Sequence, residues 1–139
     1  MTRFVVDASV ALRWFLDVPI PPYAARVRKM LEDGDRAVVP AIWHLEMANT
    51  LLISTRRGKI TQNDADTLLF NIESLLHGSI ETRIEGISVR RAMAVARAWS
   101  LTAYDASYLE LAQTEKLRLS TLDVQLRNAA VRAGVELVP

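Results

Sequence analysis

Four acidic residues, Asp7, Glu46, Asp105 and Asp123, each stand at or beside an apolar segment, where an unpaired charge is costly. Asp7 ends Arg3-Phe4-Val5-Val6, a run that reads as a buried strand. Glu46 lies inside Pro40-Ala41-Ile42-Trp43-His44-Leu45-Glu46-Met47-Ala48-Asn49, a mostly apolar helical stretch. Asp105 falls near a helix start in Leu101-Thr102-Ala103-Tyr104-Asp105-Ala106-Ser107-Tyr108. Asp123 closes the turn Thr121-Leu122-Asp123 after the strand-like Leu117-Arg118-Leu119-Ser120. Acids at strand ends and first helical turns gather at one edge of a parallel sheet, where open α/β folds place their sites. Carboxylates without a basic partner between them need a hard cation; Mg²⁺ is the usual one and Mn²⁺ can replace it. Such a cation keeps several waters, can turn one into a nucleophile and offsets charge on a phosphodiester. Ser9 and Thr121, each two residues from an acid, offer hydroxyls to orient water or a carboxylate.

Other acidic-site chemistries lack their residues. The five glycines are scattered and form neither G-x-G-x-x-G nor a phosphate-binding loop. A phospho-accepting aspartate of the D-x-D type is excluded by Ser9, two residues after Asp7. His44 and His77 lie in helical contexts without a nucleophile elbow. Two histidines and no cysteine make a zinc site a poor fit.

The elements that must position the acids alternate along the chain. Strands are expected at 4–6, 36–39, 80–84, 117–120 and 135–138. Helices are expected at 9–15 with Ser9 as N-cap, then at 23–31 and from Ile42 to Arg57, stopped by Gly58. Thr61 and Asp64 form a capping-box variant for a helix running toward His77. Further helices are expected at 88–99, with Val89, Met93 and Ala96 in its apolar stripe, at 103–115 and at 123–133, with Gly134 as the last stop. This order implies a parallel sheet of four or five strands covered on both faces, a three-layer α/β/α sandwich.

A chain of 139 residues, half of them hydrophobic, fits one domain spanning 1–139 with a real core. A net charge of only +1 provides no global attraction for nucleic acid, so such contacts must come from local arginines. With no signal peptide, no stretch long enough for a membrane span and no cysteine, the expected setting is soluble and cytoplasmic. The helices over 42–57 and 103–115 carry more apolar surface than a small domain can cover, so a C₂ homodimer is expected.

Taken in order, Val5-Val6-Asp7-Ala8-Ser9, the segment from Val39-Pro40 through Leu45-Glu46-Met47-Ala48-Asn49, Thr102 through Ala112, and Leu119-Ser120-Thr121-Leu122-Asp123 resemble the PIN-domain proteins. Within that family the chain looks like the VapC-type toxin ribonucleases of bacterial toxin–antitoxin pairs. Each motif alone is weak; four in order over nearly the whole chain are specific. The resemblance implies an Mg²⁺-dependent endoribonuclease with RNA as substrate. It also implies Asp7, Glu46, Asp105 and Asp123 as metal-site acids and Thr121 as a supporting hydroxyl. A homodimer restrained by a cognate antitoxin, whose inhibitory segment offers an arginine to the acids, follows from the same likeness.

Each residue also has a plainer role. Asp7 and Asp123 sit where helix N-caps sit, Asp105 complements a helix dipole, and Glu46 on a solvent face would need no partner. Trp14, Trp43 and Trp99 read as core or interface anchors, and Arg90, Arg91 and Arg97 as an exposed helix face. Two other functions stay open: a non-toxin PIN-type metal nuclease, and a catalytically silent domain used for protein binding.

Overall fold

In the computed structural model, which describes residues 1–139, short β-branched runs form strands and the longer patterns form helices. The order is β1 (Arg3–Val6), α1 (Ala8–Leu16), α2 (Pro22–Glu32), β2 (Arg36–Val39), α3 (Ile42–Arg56), α4 (Gln62–Gly78), β3 (Ile80–Thr82), α5 (Val89–Trp99), α6 (Ala103–Glu115), β4 (Arg118–Ser120) and α7 (Val124–Arg132). The four strands make one parallel sheet in the order β3-β2-β1-β4, with Val5 paired to Val38 on one side and Leu119 on the other. Helices cover both faces, giving a three-layer α/β/α sandwich around a core of 31 buried hydrophobic residues. Because β1 lies between β2 and β4, the chain reverses direction across the sheet at β1, and the switch point, where open α/β folds place their crevice, falls at the carboxyl ends of β1 and β4.

The expected fifth strand over 135–138 does not form. Its only pairing is a single parallel bridge between Leu119 and Leu137. That bridge rests on Leu119 N–H to the Glu136 carbonyl and Val138 N–H to the Leu119 carbonyl, each 2.9 Å, and Pro139 has no amide to extend it.

Helix ends follow local chemistry. Thr61 and Asp64 form the full reciprocal capping box, each side chain accepting from the other's backbone N–H at 3.0 Å. Gly58 takes φ of 71° just past α3, the left-handed turn that stops that helix. Ser9 is not the cap of α1: the helix starts one residue earlier, with Asp7 at the N-cap position, and Ser9 sits in the first turn.

Two helix faces differ from the sequence pattern. In α5 the buried residue is Val95, while Val89 and Met93 of the expected apolar stripe face solvent, because α5 packs on α6 through its opposite side. α6 buries every residue from Ala106 to Ala112 between the sheet, α5 and α7, so it adds no large uncovered apolar surface. α6 is interior although it carries Ser107 and Glu110 among its buried residues, which are satisfied by hydrogen bonds and an ion pair. Arg83 after β3 is tied to Glu110 of α6 at 2.6 Å in a mostly buried ion pair, with the Thr114 hydroxyl donating to the other Glu110 oxygen.

Candidate active site

The site is built where β1 and β4 end. The Asp7 N–H donates to the Ser120 carbonyl at 3.0 Å, extending the β1–β4 pairing by one residue and placing Asp7 beside the 121–123 turn. Its carboxylate is buried and makes no capping hydrogen bond to α1. Instead its Oδ2 accepts from the Thr121 hydroxyl at 2.7 Å and the Ser9 hydroxyl at 2.8 Å. Each hydroxyl in turn accepts a backbone amide: Leu122 N–H donates to Ser9 Oγ and Asp123 N–H to Thr121 Oγ1, both at 3.0 Å. With both hydroxyl protons directed at Asp7 Oδ2, that carboxylate oxygen is fixed.

Asp123 occupies the same local position before α7 that Asp7 occupies before α1, yet it behaves differently. Its Oδ1 accepts from Leu126 N–H at 2.8 Å, a true N-cap, leaving Oδ2 unbonded. Asp105 lies in the first turn of α6, half-exposed, while the Thr102 hydroxyl caps that helix by accepting from Asp105 N–H at 3.1 Å. Glu46 sits in the second turn of α3, half-buried. Its Oε1 accepts a 2.5 Å hydrogen bond from the hydroxyl of Tyr108, a fully buried side chain three residues on from Asp105.

The charges of these acids reach one another. Burial pushes the Asp7 carboxyl above its ordinary range, against the pull of its two hydroxyl partners, and Asp123 adds to the rise. Glu46 is raised by burial, opposed by the Tyr108 hydrogen bond and reinforced by the charges of Asp7 and Asp105. Asp105 is pushed up to about 6, by burial first and then by Asp123 and Asp7. Tyr108 is raised by burial, by the Asp7 charge and by its bond to Glu46, so its hydroxyl stays a donor. None of the four carboxylates joins an ion pair; the five in the protein lie elsewhere. Asp7, Glu46, Asp105, Asp123 and Thr121 thus stand around one edge of the sheet.

The cluster is open. No three acidic or histidine side chains close tightly enough to enclose a metal ion. Glu46, Asp105 and Asp123 nonetheless each keep at least one carboxylate oxygen free of protein partners. All-oxygen, uncompensated donors suit a hard divalent cation that retains water better than a closed cage does. Tyr108 is the neighbour the sequence reading did not single out. Its signal was a tyrosine beside Leu109 and Leu111 in a mostly apolar stretch of helix, whose hydroxyl must find a partner when buried.

The sequence model of the PIN domain matches residues 4–132. The chain belongs to the PIN-domain family. No curated protein matches it significantly. Among solved structures, PAE2754 from Pyrobaculum aerophilum is 24% identical with a TM-score of 0.67, covering 92% of this PIN chain and 79% of that one. VapBC2 from Rickettsia felis, bound to a DNA fragment from its promoter, is 10% identical with a TM-score of 0.65, covering 99% and 98%. A toxin–antitoxin complex from Klebsiella pneumoniae is 16% identical with a TM-score of 0.57, covering 86% of each chain. At these identities the likeness is one of fold.

Proposed function

We propose that this PIN domain is a metal-dependent endoribonuclease, the toxin of a VapC-type toxin–antitoxin pair. The observation that carries the reading is the convergence of four carboxylates from four elements at the β1–β4 crevice, with no basic group among them. A protein gains nothing in stability from burying mutually repelling acids, so the arrangement is kept for what it binds. Fold likeness to VapBC2 and to a toxin–antitoxin complex supports the toxin role and an antitoxin partner.

Asp7, Glu46 and Asp105 would hold Mg²⁺, with Mn²⁺ as substitute, and Asp123 stands at the edge of the set. When bound, that cation supplies Lewis acidity toward water and a phosphodiester oxygen. The protein's own part is orientation. Ser9 and Thr121 fix one Asp7 oxygen. Tyr108 holds Glu46 so that its second oxygen stays free. Without positive charge the four acids repel a phosphate, so cleavage depends on metal.

Labelled RNA incubated with the purified protein, with Mg²⁺ and with EDTA, tests the reading. Cleavage only with Mg²⁺, abolished by Asp7→Asn and retained by Asp66→Asn, is expected. The amide that replaces the Asp7 carboxylate still accepts from Ser9 and Thr121 and so preserves the fold, but it binds Mg²⁺ poorly. Asp66 lies on the exposed face of α4 and serves as the matched control. An Asp7→Asn protein that cuts RNA at the parent rate refutes the site. Expression with and without the gene next to this one separates a toxin from a housekeeping nuclease.

We assign the homodimer contact to α3. Its buried stripe is Trp43, Met47 and Leu51, which leaves Leu45 (67% exposed) and Leu52 (50%) outward beside Tyr104 (63%). These three line an open groove of about 410 Å³ next to Glu46. A monomeric mass by light scattering at micromolar concentration counts against the dimer.

A further inference from the structure

Thr121 has a second set of neighbours besides Asp7. Arg127, one turn into α7 from Asp123, donates from Nη2 to the Thr121 carbonyl at 3.4 Å. Tyr23 of α2 reaches the Thr121 backbone as well and lies within the field of both Arg127 and Arg26. The Arg26 guanidinium stacks on the Tyr23 ring, 5.5 Å from its centroid. The Tyr23 hydroxyl donates to the Val138 carbonyl at 2.8 Å, which locks the ring in place. Arg127 of α7 is therefore bonded to the residue that orients Asp7, and the stacked Tyr23–Arg26 pair of α2 lies close to it.

Neither cation has a partner. Arg26 and Arg127 are exposed and join no ion pair, whereas Arg13 and Arg28 on the same side of the fold are matched with Asp17 and Glu32 at i+4. Arg127 uses one of its five donors on the carbonyl and keeps the rest for a ligand. A planar guanidinium fork matches the geometry of a phosphate or a carboxylate, and the substrate of the proposed reaction carries phosphates. The arginines of α5 are set differently: Arg90 and Arg97 flank the exposed Val89 and Met93, an apolar surface better matched to protein.

We propose that Arg127 and Arg26, braced by Tyr23, form a track for backbone phosphates of single-stranded RNA on the α2–α7 side of the acidic crevice. The inference rests on the ribonuclease reading and adds where the substrate lies. The acids repel the strand and the track offsets that repulsion from one flank, which fixes the direction in which RNA crosses the site. A single strand suits the geometry because Asp7 is recessed, and a flexible backbone can bend toward it where a duplex cannot.

The test is binding of a fluorescent single-stranded RNA of mixed sequence, read by anisotropy from low to moderate salt. The Asp7→Asn background keeps the RNA intact. Each phosphate contact on a single strand contributes about 0.7 to the slope of log affinity against log salt. Arg127→Ala and Arg26→Ala should each lower the slope by about that amount and weaken binding about fivefold near 0.1 M salt. Arg127→Lys keeps the charge and should keep the slope. Arg118→Ala, at the amino end of β4, should match the parent. If Arg127 merely braces the 121–123 turn, Lys fails like Ala in melting temperature and neither changes the salt slope, which overturns the track. A parent that binds RNA with a slope unmoved by the Arg26→Ala/Arg127→Ala pair overturns the track alone. A parent that binds no RNA at any salt overturns the track together with the ribonuclease reading.

Discussion

Replacing Asp105 by Asn in metal-free protein should raise its stability at neutral pH. Asp105 has its carboxyl raised from 3.8 to about 6 in the folded chain, so ionising it costs the fold more than it costs the unfolded chain. The difference, 6 − 3.8, is about two pH units, and each unit corresponds to about 1.4 kcal/mol, giving ~3 kcal/mol before screening. Asp105 is half-exposed, and solvent screening reduces this to about 1–1.5 kcal/mol. Against that gain stands the loss of a negative charge from the first turn of α6, about 0.3–1 kcal/mol. The net gain, at most about 1.2 kcal/mol, should raise Tm by up to roughly 5 °C in a chain of this length.

The sign with pH follows from linkage. An acid with a raised folded-state pKa binds more protons folded than unfolded between the two values, so stability falls as pH rises from about 4 to about 6 and then levels off. The metal-free parent should be most stable on mild acidification, and its curve should be steeper than that of Asp105→Asn. With Mg²⁺ the order reverses at neutral pH, because a cation that binds only the folded, ionised site stabilises the parent more by mass action. Thermal melts of both proteins at pH 5 and pH 7.5, each in EDTA and in Mg²⁺, decide the matter. If Asp105→Asn melts lower than the parent in EDTA at pH 7.5 by the same margin as at pH 5, Asp105 serves only the helix. The repulsion argument would then be wrong.

Three further outcomes are expected. Asp123→Ala should lose about 0.5–2 kcal/mol with and without Mg²⁺, because it removes the cap on Leu126 N–H, while Asp123→Asn keeps most of that stability; denaturant melts distinguish them. Tyr108→Phe keeps the packing but frees Glu46, so the Mg²⁺ concentration needed for half-maximal thermal stabilisation should rise several-fold, and an unchanged titration would show that Glu46 needs no holder. Asp64→Ala removes the half of the α4 capping box in which the Asp64 carboxylate accepts from Thr61 N–H, leaves the Thr61 hydroxyl capping the N–H of residue 64, and should cost about 0.5–1 kcal/mol in a urea melt without altering RNA cleavage.

Where each acid sits was legible because it depends on local pattern. A strand ending in Asp7, a helix starting before Asp105 and a turn holding Asp123 follow from short apolar runs and their terminators, and a parallel sheet brings such ends to one edge. What each carboxylate does there was legible only in part: Ser9 and the Leu126 N–H lie within three residues of Asp7 and Asp123, but Thr121 and Tyr108 reach Asp7 and Glu46 from distant parts of the chain. Asp7 and Asp123 both occupy N-cap positions, and the position alone does not tell them apart, although Asp7 has a serine two residues on where Asp123 has Gln125. Asp123 caps its helix, while Asp7 is turned away by Thr121, 114 residues on. Glu46 is held by Tyr108, 62 residues on.

The same division explains the helix faces. The α5 pattern marks apolar positions but not which of them will find a neighbour, so Val95 is covered and Val89 and Met93 are not. In α6 apolar and polar residues are spread around the helix and name no face, and only the sheet, α5 and α7 closing over it show that it is interior. Segment type is set by neighbours along the chain, and side-chain direction by neighbours across the fold. A metal site is a matter of side-chain direction: the acids and the hydroxyls of Ser9 and Thr121 could be read from the sequence, but not that Thr121 reaches across to Asp7 or that Tyr108 holds Glu46.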